Sequence, residues 1–202
     1  MTPPADTGDQ ARGKARDEAN GEANGENEGG DVLVLPAPSL VLLIGAAGSG
    51  KSTFAARHFP AEEVLSADRY RGLVAGDEGD QRATRTAFAL LHREVERRLA
   101  GGRSSVVDAT NVTAFARRSL LRRSSRYGVP AVALVFDLDP LLVMTRNATR
   151  AGRSVPTVAV EQQLRDLARS LRGNLAGEGF AVVRVFRDAA EVEGVRVSLG
   201  VT

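Results

Sequence analysis

Lys51 is the residue of this sequence whose surroundings most clearly indicate chemistry, because it is one of only two lysines among 27 basic residues. It lies in a segment that fits G-x-x-x-x-G-K-[ST], between the apolar run Leu40–Ile44 and a helical pattern that opens at Ser52. The glycines let backbone N–H groups turn toward phosphate oxygens. A compact ammonium fits inside such a loop, whereas a planar guanidinium does not. The pattern predicts a P-loop that binds a nucleoside triphosphate through Gly45, Ala46, Ala47, Gly48, Ser49, Gly50, Lys51, Ser52 and Thr53, with the Ser52 hydroxyl on Mg²⁺.

Asp68 is the candidate general base. It follows the short apolar run Val64–Ser66, seventeen residues after Lys51. The second strand of a P-loop fold commonly lies near the first, so Asp68 is expected to face the γ-phosphate. A carboxylate there accepts the proton of an attacking hydroxyl, which favours a kinase. A structural role as a helix cap or turn residue is the alternative.

Other nucleotide hydrolases fit the sequence less well. It contains no N-K-x-D guanine motif, which counts against a switch GTPase. It also contains no apolar strand that ends in Asp-Glu, the pair typical of motor ATPases.

Three arginines indicate how the triphosphate could be covered. Arg146, Arg150 and Arg153 are spaced i, i+4, i+7, so a continuous helix would place them on one face. Beside a P-loop, such a face is typical of a lid that stabilises the charge on the transferring phosphoryl group. Arg146 is the catalytic candidate, and Arg150 joins it in binding ATP. The pattern leaves open that Arg150 and Arg153 serve the adenine or only the surface.

The end of the third predicted strand carries further polar residues. Asp108 could hold a metal-bound water or orient another side chain. Thr110 is a candidate for contact with the acceptor, and Asn111 is expected to cap the following helix. That helix places three arginines on one face, for which a solvated surface is favoured over a phosphate track: Arg118, Arg122 and Arg126.

The elements that must position these residues alternate between short apolar runs and helical patterns. Such alternation predicts βαβ units and a mainly parallel sheet with ligands at the carboxyl ends of its strands. The predicted strands are Leu40–Ile44, Val64–Ser66, Ser105–Asp108, Ala131–Phe136 and Ala181–Phe186. The predicted helices are Ser52–His58, Ala83–Ala100, Ala114–Tyr127 and Pro140–Ala176, the last with a break at Gly152–Pro156.

Composition divides the chain into two parts. Residues 1–31 contain 8 acidic and 3 basic side chains and little to bury, which predicts a disordered acidic tail. Residues 32–202 contain 24 basic and 17 acidic side chains, a balance that suits a phosphate-rich partner. The absence of cysteine excludes disulfides, thiolate metal sites and a cysteine nucleophile. No secretory signal and no apolar run long enough to cross a membrane occur, so a cytoplasmic protein is expected.

Six segments together resemble the 5′-hydroxyl polynucleotide kinase module of bacterial polynucleotide kinase-phosphatase end-healing enzymes. The resemblance runs from about Ser39 to Val197 and rests on LIGAAGSGKSTFAARHF, EVLSADRYRGLV, DEGDQ, VVDATN, RNATR and EGFAVVRVF. It implies an α/β fold of the P-loop kinase type, with three α/β/α layers, a mainly parallel sheet and an arginine-bearing helical lid. Residues 32–202 would then be a polynucleotide kinase-like domain that moves the γ-phosphate of ATP, with Mg²⁺, to the 5′-OH of DNA or RNA.

The resemblance also implies a role for each matching residue. Lys51 and Ser52 match the phosphate lysine and the metal-binding serine, and Asp68 matches the base that activates the 5′-OH. Arg71 matches the arginine that grips the acceptor's phosphate, and Arg146 matches the lid arginine. Gln81 also falls in place, without an assigned role.

Three questions stay open at this stage. Small-molecule kinases and zeta-toxin-like enzymes that phosphorylate a sugar nucleotide share the P-loop architecture, so the acceptor is not fixed. An ATP-binding regulatory module without an acceptor is a third class, which the combination of Lys51, Ser52, Asp68 and Arg146 disfavours. The family module normally precedes metallophosphatase and ligase-like domains, which leaves open separate phosphatase or ligase partners.

Overall fold

A five-stranded, wholly parallel sheet forms the centre of the protein. The computed structural model describes residues 31–75, 84–150 and 154–201. The strand order in the sheet is β3-β4-β2-β5-β6. All five strands were predicted, with β6 beginning one residue later than expected. They are β2 (Leu40–Ile44), β3 (Val64–Ser66), β4 (Ser105–Asp108), β5 (Ala131–Phe136) and β6 (Val182–Phe186).

Helices follow most of the strands and cover both faces of the sheet, which confirms the predicted α/β architecture. Among the described residues, no helix has the length and apolar character needed to span a bilayer. The helices are α1 (Lys51–His58), α2 (Ala67–Ala75), α3 (Thr84–Ala100), α4 (Ala114–Arg126), α5 (Pro140–Thr149), α6 (Thr157–Arg172) and α7 (Ala189–Gly194), with a 3₁₀ turn at Ala176–Glu178.

The two faces of the sheet bury different clusters. One face packs against α3, α4 and α6 through residues such as Leu91, Leu120 and Leu167. The other packs against α1, where the Phe54 ring lies 5.3 Å from that of Phe136 and 5.5 Å from that of Phe186, measured between centroids. These contacts anchor α1, and with it the loop that precedes α1, to the strands beneath.

A second sheet was not predicted. Strand β1 (Val32–Ala37) pairs in parallel with β7 (Arg196–Val201), and Leu35 of β1 packs into the same cluster as α1. The outer layer on the α1 side is therefore part helix and part sheet. The predicted tail, residues 1–31, lies outside the described residues except for Asp31, whose carbonyl oxygen accepts from Arg196 N at 2.9 Å.

Strand β3 lies near β2, as expected, but is not its direct neighbour. Strand β4 lies between β2 and β3, and it pairs with both. The residue next to the P-loop strand is therefore Asp108, at the end of β4. Asp68 lies one strand further out, at the start of α2.

The helix predicted to carry the arginine stripe is shorter than expected. Helix α5 carries Arg146 and ends at Thr149, and Arg150 is its C-cap, with φ −67° and ψ 121°, so the helix does not continue to Arg153. Helix α6 begins at Thr157 and ends at Arg172, four residues before the predicted end. Arg153 and Gln81 lie outside the described residues.

Candidate nucleotide and acceptor site

One cavity of about 670 Å³ lies at the carboxyl ends of the strands, where ligands of parallel sheets bind. Predicted site residues from four separate segments line it: Ala47, Gly48, Gly50, Lys51, Ser52, Thr53, Asp68, Arg71, Thr110, Arg146 and Arg150. Gly45, Ala46 and Ser49 do not line it, because they are buried within the loop and shape it from beneath.

The P-loop has the backbone geometry that its glycines predict. Gly48 and Gly50 have φ values of 89° and 90°, in the left-handed region that side chains disfavour. A Cβ atom on Gly48 would also lie only 3.0 Å from Asn147 N of α5. Glycine at this position therefore lets α5 pack directly against the loop that holds the phosphates.

Lys51 is buried at the first position of α1, with 7% of its surface exposed. Its Nζ donates to Ala46 O at 2.7 Å and to Ser49 Oγ at 3.2 Å. Burial lowers the pKa of Lys51 to about 8, with Asp108 opposing the shift and Arg150 adding to it. Phosphate oxygens would supply the negative charge that this buried ammonium lacks.

Ser52, the predicted magnesium ligand, lies against Asp108. The Ser52 hydroxyl donates to Asp108 Oδ2 at 2.7 Å. The described residues contain no cluster of three or more histidine, cysteine or acidic side chains that could hold a metal alone. Mg²⁺ characteristically takes one or two protein oxygens and completes its shell with phosphates and water. The residues present therefore fit Mg²⁺ bound together with a triphosphate.

Asp68 and Arg71 lie side by side in the cavity wall, because α2 places them one helical turn apart. Arg71 Nη2 is ion-paired with Asp68 Oδ1. The Arg71 side chain is 9% exposed and that of Asp68 is 30% exposed. Helix α2 was not predicted, and it brings the candidate base and the candidate acceptor clamp together.

Arg146 projects from α5 toward the P-loop. Its Nη1 lies 4.0 Å from the position that a Cβ on Gly50 would occupy. Asn147 holds Val155 against α5, since its Nδ2 donates to Val155 O at 2.8 Å and its Oδ1 accepts from Val155 N at 3.1 Å. Arg150 is more exposed than Arg146 and lines the same cavity.

Gln163 of α6 is a site residue that the sequence analysis missed. Its Oε1 accepts a hydrogen bond from Ala47 N at 2.8 Å, across 116 residues of sequence. It therefore ties α6 to the P-loop backbone. The one sequence signal for this contact is that Gln163 follows the predicted break at Gly152–Pro156.

The loop after β4 is held by a buried arginine that was also missed. Arg117 is fully buried; it donates to both carboxylate oxygens of Glu178 at 2.7 and 2.5 Å, and to Asn111 O at 2.7 Å. Thr110 O in turn accepts from Gly45 N at 2.9 Å. The network locks Thr110 against the P-loop.

The expected helix cap at Asn111 is wrong. Thr113 caps α4 by accepting from Ala116 N, whereas Asn111 has φ 48° and donates to Leu43 O at 2.9 Å. Asn111 thus joins the loop to the P-loop strand instead of starting the helix.

An aromatic side chain completes the Asp68 side of the cavity. Phe88 of α3 is half-buried against the core and lines the cavity together with Thr84, Asp68 and Arg71. An aromatic face beside a carboxylate and an arginine suits a ring-bearing acceptor. Helix α3 was predicted with a start one residue earlier, and no role was predicted for Phe88.

Residues 40–173 match the family model AAA_33, described as an AAA domain. The chain belongs to this family. The matched residues of the AAA domain include the P-loop, Asp68, Asp108 and Arg146. Its fold is that of P-loop kinases, which use ATP as the phosphate donor. No curated protein matches the chain.

Solved structures share the fold of this AAA domain at low sequence identity. A chain of the Pnkp1/Rnl/Hen1 RNA repair complex is 23% identical with a TM-score of 0.59, covering 68% of this chain and 46% of its own. A sugar kinase from Janibacter sp. HTCC2649 is 20% identical with a TM-score of 0.51, covering 75% and 86%. The AvrRxo1-ORF1:-ORF2 complex with ATP is 14% identical with a TM-score of 0.60, covering 76% and 55%. This chain thus spans less than half of the RNA repair protein.

Proposed function

We propose that this protein transfers the γ-phosphate of ATP to the 5′-OH of a DNA or RNA strand. The observation that carries the proposal is that one cavity joins the P-loop to the Asp68–Arg71 pair. A nucleotide-binding module without an acceptor would need the P-loop but not the Asp68–Arg71 pair. The cavity supplies both a donor site and a wall suited to an incoming hydroxyl.

On the donor side, the cations and the loop bind the triphosphate. Backbone N–H groups of residues 48–52 and the N-terminus of α1 face the phosphates, and Lys51 lies among them. Arg146 reaches over Gly50 from α5, where it can stabilise charge that develops on the transferring group. Ser52 and Asp108 would hold Mg²⁺, which neutralises phosphate charge when bound.

On the acceptor side, Asp68 accepts the proton of the 5′-OH as that oxygen bonds to the γ-phosphorus. The bond between the γ-phosphorus and the oxygen that bridges it to the β-phosphate breaks, and ADP leaves with the electron pair of that bond. Arg71 binds the phosphate on the 3′ side of the same nucleoside, since a guanidinium fork matches phosphate geometry. Phe88 offers a face for the sugar or the base, and Thr110 contacts the acceptor from the loop after β4.

Similarity to the RNA repair complex chain supports a nucleic-acid acceptor, and separate phosphatase or ligase partners would suit that role. The likeness to a sugar kinase favours a second candidate, a small-molecule kinase built on the same P-loop. The two candidates differ in the acceptor that Arg71 would recognise, because a neutral sugar offers no phosphate.

Incubation with γ-labelled ATP and a panel of acceptors tests the proposal. The panel contains 5′-OH DNA, 5′-OH RNA, nucleosides and sugar nucleotides, and Asp68→Asn is the matched control. We expect label on the 5′ ends of strands, and a loss of about 10²- to 10⁴-fold in Asp68→Asn with ATP affinity retained. Label only on a sugar nucleotide would select the second candidate, and no labelled acceptor would indicate a regulatory module.

A further inference from the structure

The outward face of α4 differs from the rest of that helix. Arg117, Leu120 and Ser124 are buried. A helix has 3.6 residues per turn, so the residues on the opposite side lie together along one stripe. They begin with Phe115, which is 84% exposed, and continue with Arg118 and Arg122. We call these three residues the α4 strip.

The α4 strip begins five residues after Thr110, which lines the cavity. Thr113 caps α4, and Phe115 lies in the first helical turn. From Phe115 to Arg122 the helix extends about 10 Å further along its axis. A strand whose 5′ end lies at Asp68 could therefore continue along the strip.

The two arginines of the α4 strip have no acidic partner among the described residues. On the same helix, Arg123 and Arg126 form ion pairs with Glu96 at 3.7 and 3.2 Å. Arg118 and Arg122 form no ion pair or hydrogen bond with any residue in the described parts of the chain. They are exposed cations on the same helix face as an exposed aromatic ring, and no carboxylate of the described residues neutralises them.

The buried side of α4 is rigidly held. Arg117 binds Glu178 of the 3₁₀ turn and also donates to Ser170 Oγ of α6 at 3.2 Å. Ser170 Oγ donates to Val112 O at 2.6 Å. The strip is thus presented at a fixed position relative to Thr110, and a ligand that binds it pays little to order the helix.

We propose that the α4 strip binds the acceptor strand beyond its first nucleotide. A base stacks on Phe115, and successive phosphates contact Arg118 and Arg122, a combination by which proteins bind single strands without reading sequence. The proposal rests on the proposed function, because the strand that it guides is the acceptor of that reaction. It makes the enzyme favour strands over single nucleotides.

Binding of a short single-stranded oligothymidylate that already carries a 5′-phosphate tests the strip without any transfer step. Fluorescence anisotropy of the full chain is measured against salt for wild type, Arg118→Ala/Arg122→Ala and Phe115→Ala. The control Arg103→Ala/Arg196→Ala removes two exposed arginines elsewhere, one of them on the β1–β7 sheet across the central sheet from α4. Circular dichroism checks that each variant folds.

The double strip variant should lower the slope of log affinity against log salt by about 1.4, or 0.7 for each lost phosphate contact. Phe115→Ala should weaken binding at least about fivefold with the slope unchanged, because stacking is not ionic. The control should keep both slope and affinity close to wild type.

Equal slope losses in the strip variant and the control would overturn the proposal, as would an unchanged strip variant. Polyglutamate that binds as tightly as the strand, with the same dependence on Arg118 and Arg122, would also overturn it in favour of an acidic peptide. Strip-dependent binding without phosphorylation of any 5′-OH strand would support the surface while contradicting the proposed function. If the strip variants phosphorylate strands with an unaltered KM for the strand, that result would contradict the role of the α4 strip but not the proposed function.

Discussion

The Ser52 hydroxyl donates to Asp108 Oδ2 at 2.7 Å, joining the first turn of α1 to the end of the neighbouring strand β4. The two residues are 56 positions apart in the chain. The pairing of β2 with β4 brings them together, since Leu43 lies opposite Asp108 in the register. This contact defines where a metal ion and the triphosphate would meet.

Asp108→Asn should therefore raise the Mg²⁺ concentration that the enzyme needs for turnover. The amide keeps the shape but loses the charge that would orient the metal and its waters, and such changes cost about 10- to 100-fold in metal affinity. Turnover measured against Mg²⁺ concentration checks this. Asp137→Asn is the matched control, because Asp137 follows the next strand but pairs with Arg187 instead of lining the cavity. Identical magnesium curves for the wild type and Asp108→Asn would remove Asp108 from the metal site.

The lowered pKa of Lys51 leads us to expect that ATP binding depends on pH. Its pKa in the free protein is lowered to about 8 by burial, and bound phosphates should raise it again. Below that pH the lysine is charged both before and after binding, so affinity is flat. Above it, binding must take up a proton, and affinity should fall by up to about tenfold per pH unit.

Calorimetry from about pH 7.5 to 9.5, in buffers of different ionisation enthalpy, measures both the affinity and the proton uptake. Lys51→Met should bind weakly and without this dependence. Lys51→Arg should not restore turnover, because the loop accepts a compact charge and not a fork. A wild-type affinity that stays constant through pH 9 would contradict the account of a buried, neutralisable lysine.

Arg146 should act on the transition state. Arg146→Ala should lower kcat by about 10³-fold or more, as the loss of an arginine finger does, with a smaller effect on the KM for ATP. Arg150→Ala is the comparison, because Arg150 reaches the same cavity from an exposed, extended position. Its loss should raise the KM for ATP more than it lowers kcat. Steady-state kinetics on both variants would show whether the two arginines have these distinct roles.

The buried Arg117 and its partner Glu178 should stabilise the folded protein. Arg117→Met leaves Glu178 without its bidentate partner and should lower the free energy of unfolding by about 3 kcal/mol, near the low end for a broken buried pair because Glu178 is 20% exposed. Urea denaturation measures the loss. Arg117→Met with Glu178→Met should be more stable than the single variant, because no carboxylate is then left unpaired. A double variant that loses more than the single one would contradict this.

Local patterns predicted the elements well, because a strand or helix depends on a few adjacent residues. The P-loop and the five strands of the main sheet follow from such short-range signals, whereas α2, which pairs Asp68 with Arg71, was not predicted. Contacts that depend on strand order do not follow from such signals, which explains why the position of β4 between β2 and β3 and the Ser52–Asp108 pair were not predicted.

Buried polar contacts between distant segments also could not be predicted from the sequence. Arg117 looks like its exposed neighbours in an arginine-rich helix, and only packing against the 3₁₀ turn makes it structural. Gln163 and Asn147 bind backbone groups that no spacing indicates. The β1–β7 sheet joins the two ends of the described chain, so neither strand has a local partner in the sequence.

A nucleoside and its 3′-phosphate, compared as acceptors, distinguish a polynucleotide kinase from a small-molecule kinase. If Asp68 holds the attacking 5′-OH and Arg71 the adjacent phosphate, kcat/KM for the nucleoside 3′-phosphate should greatly exceed that for the nucleoside. Arg71→Ala should erase most of this preference while ATP hydrolysis without acceptor persists. Equal kcat/KM values for the two acceptors in the wild type, or undiminished discrimination by Arg71→Ala, would contradict the polynucleotide kinase account and favour a small-molecule kinase.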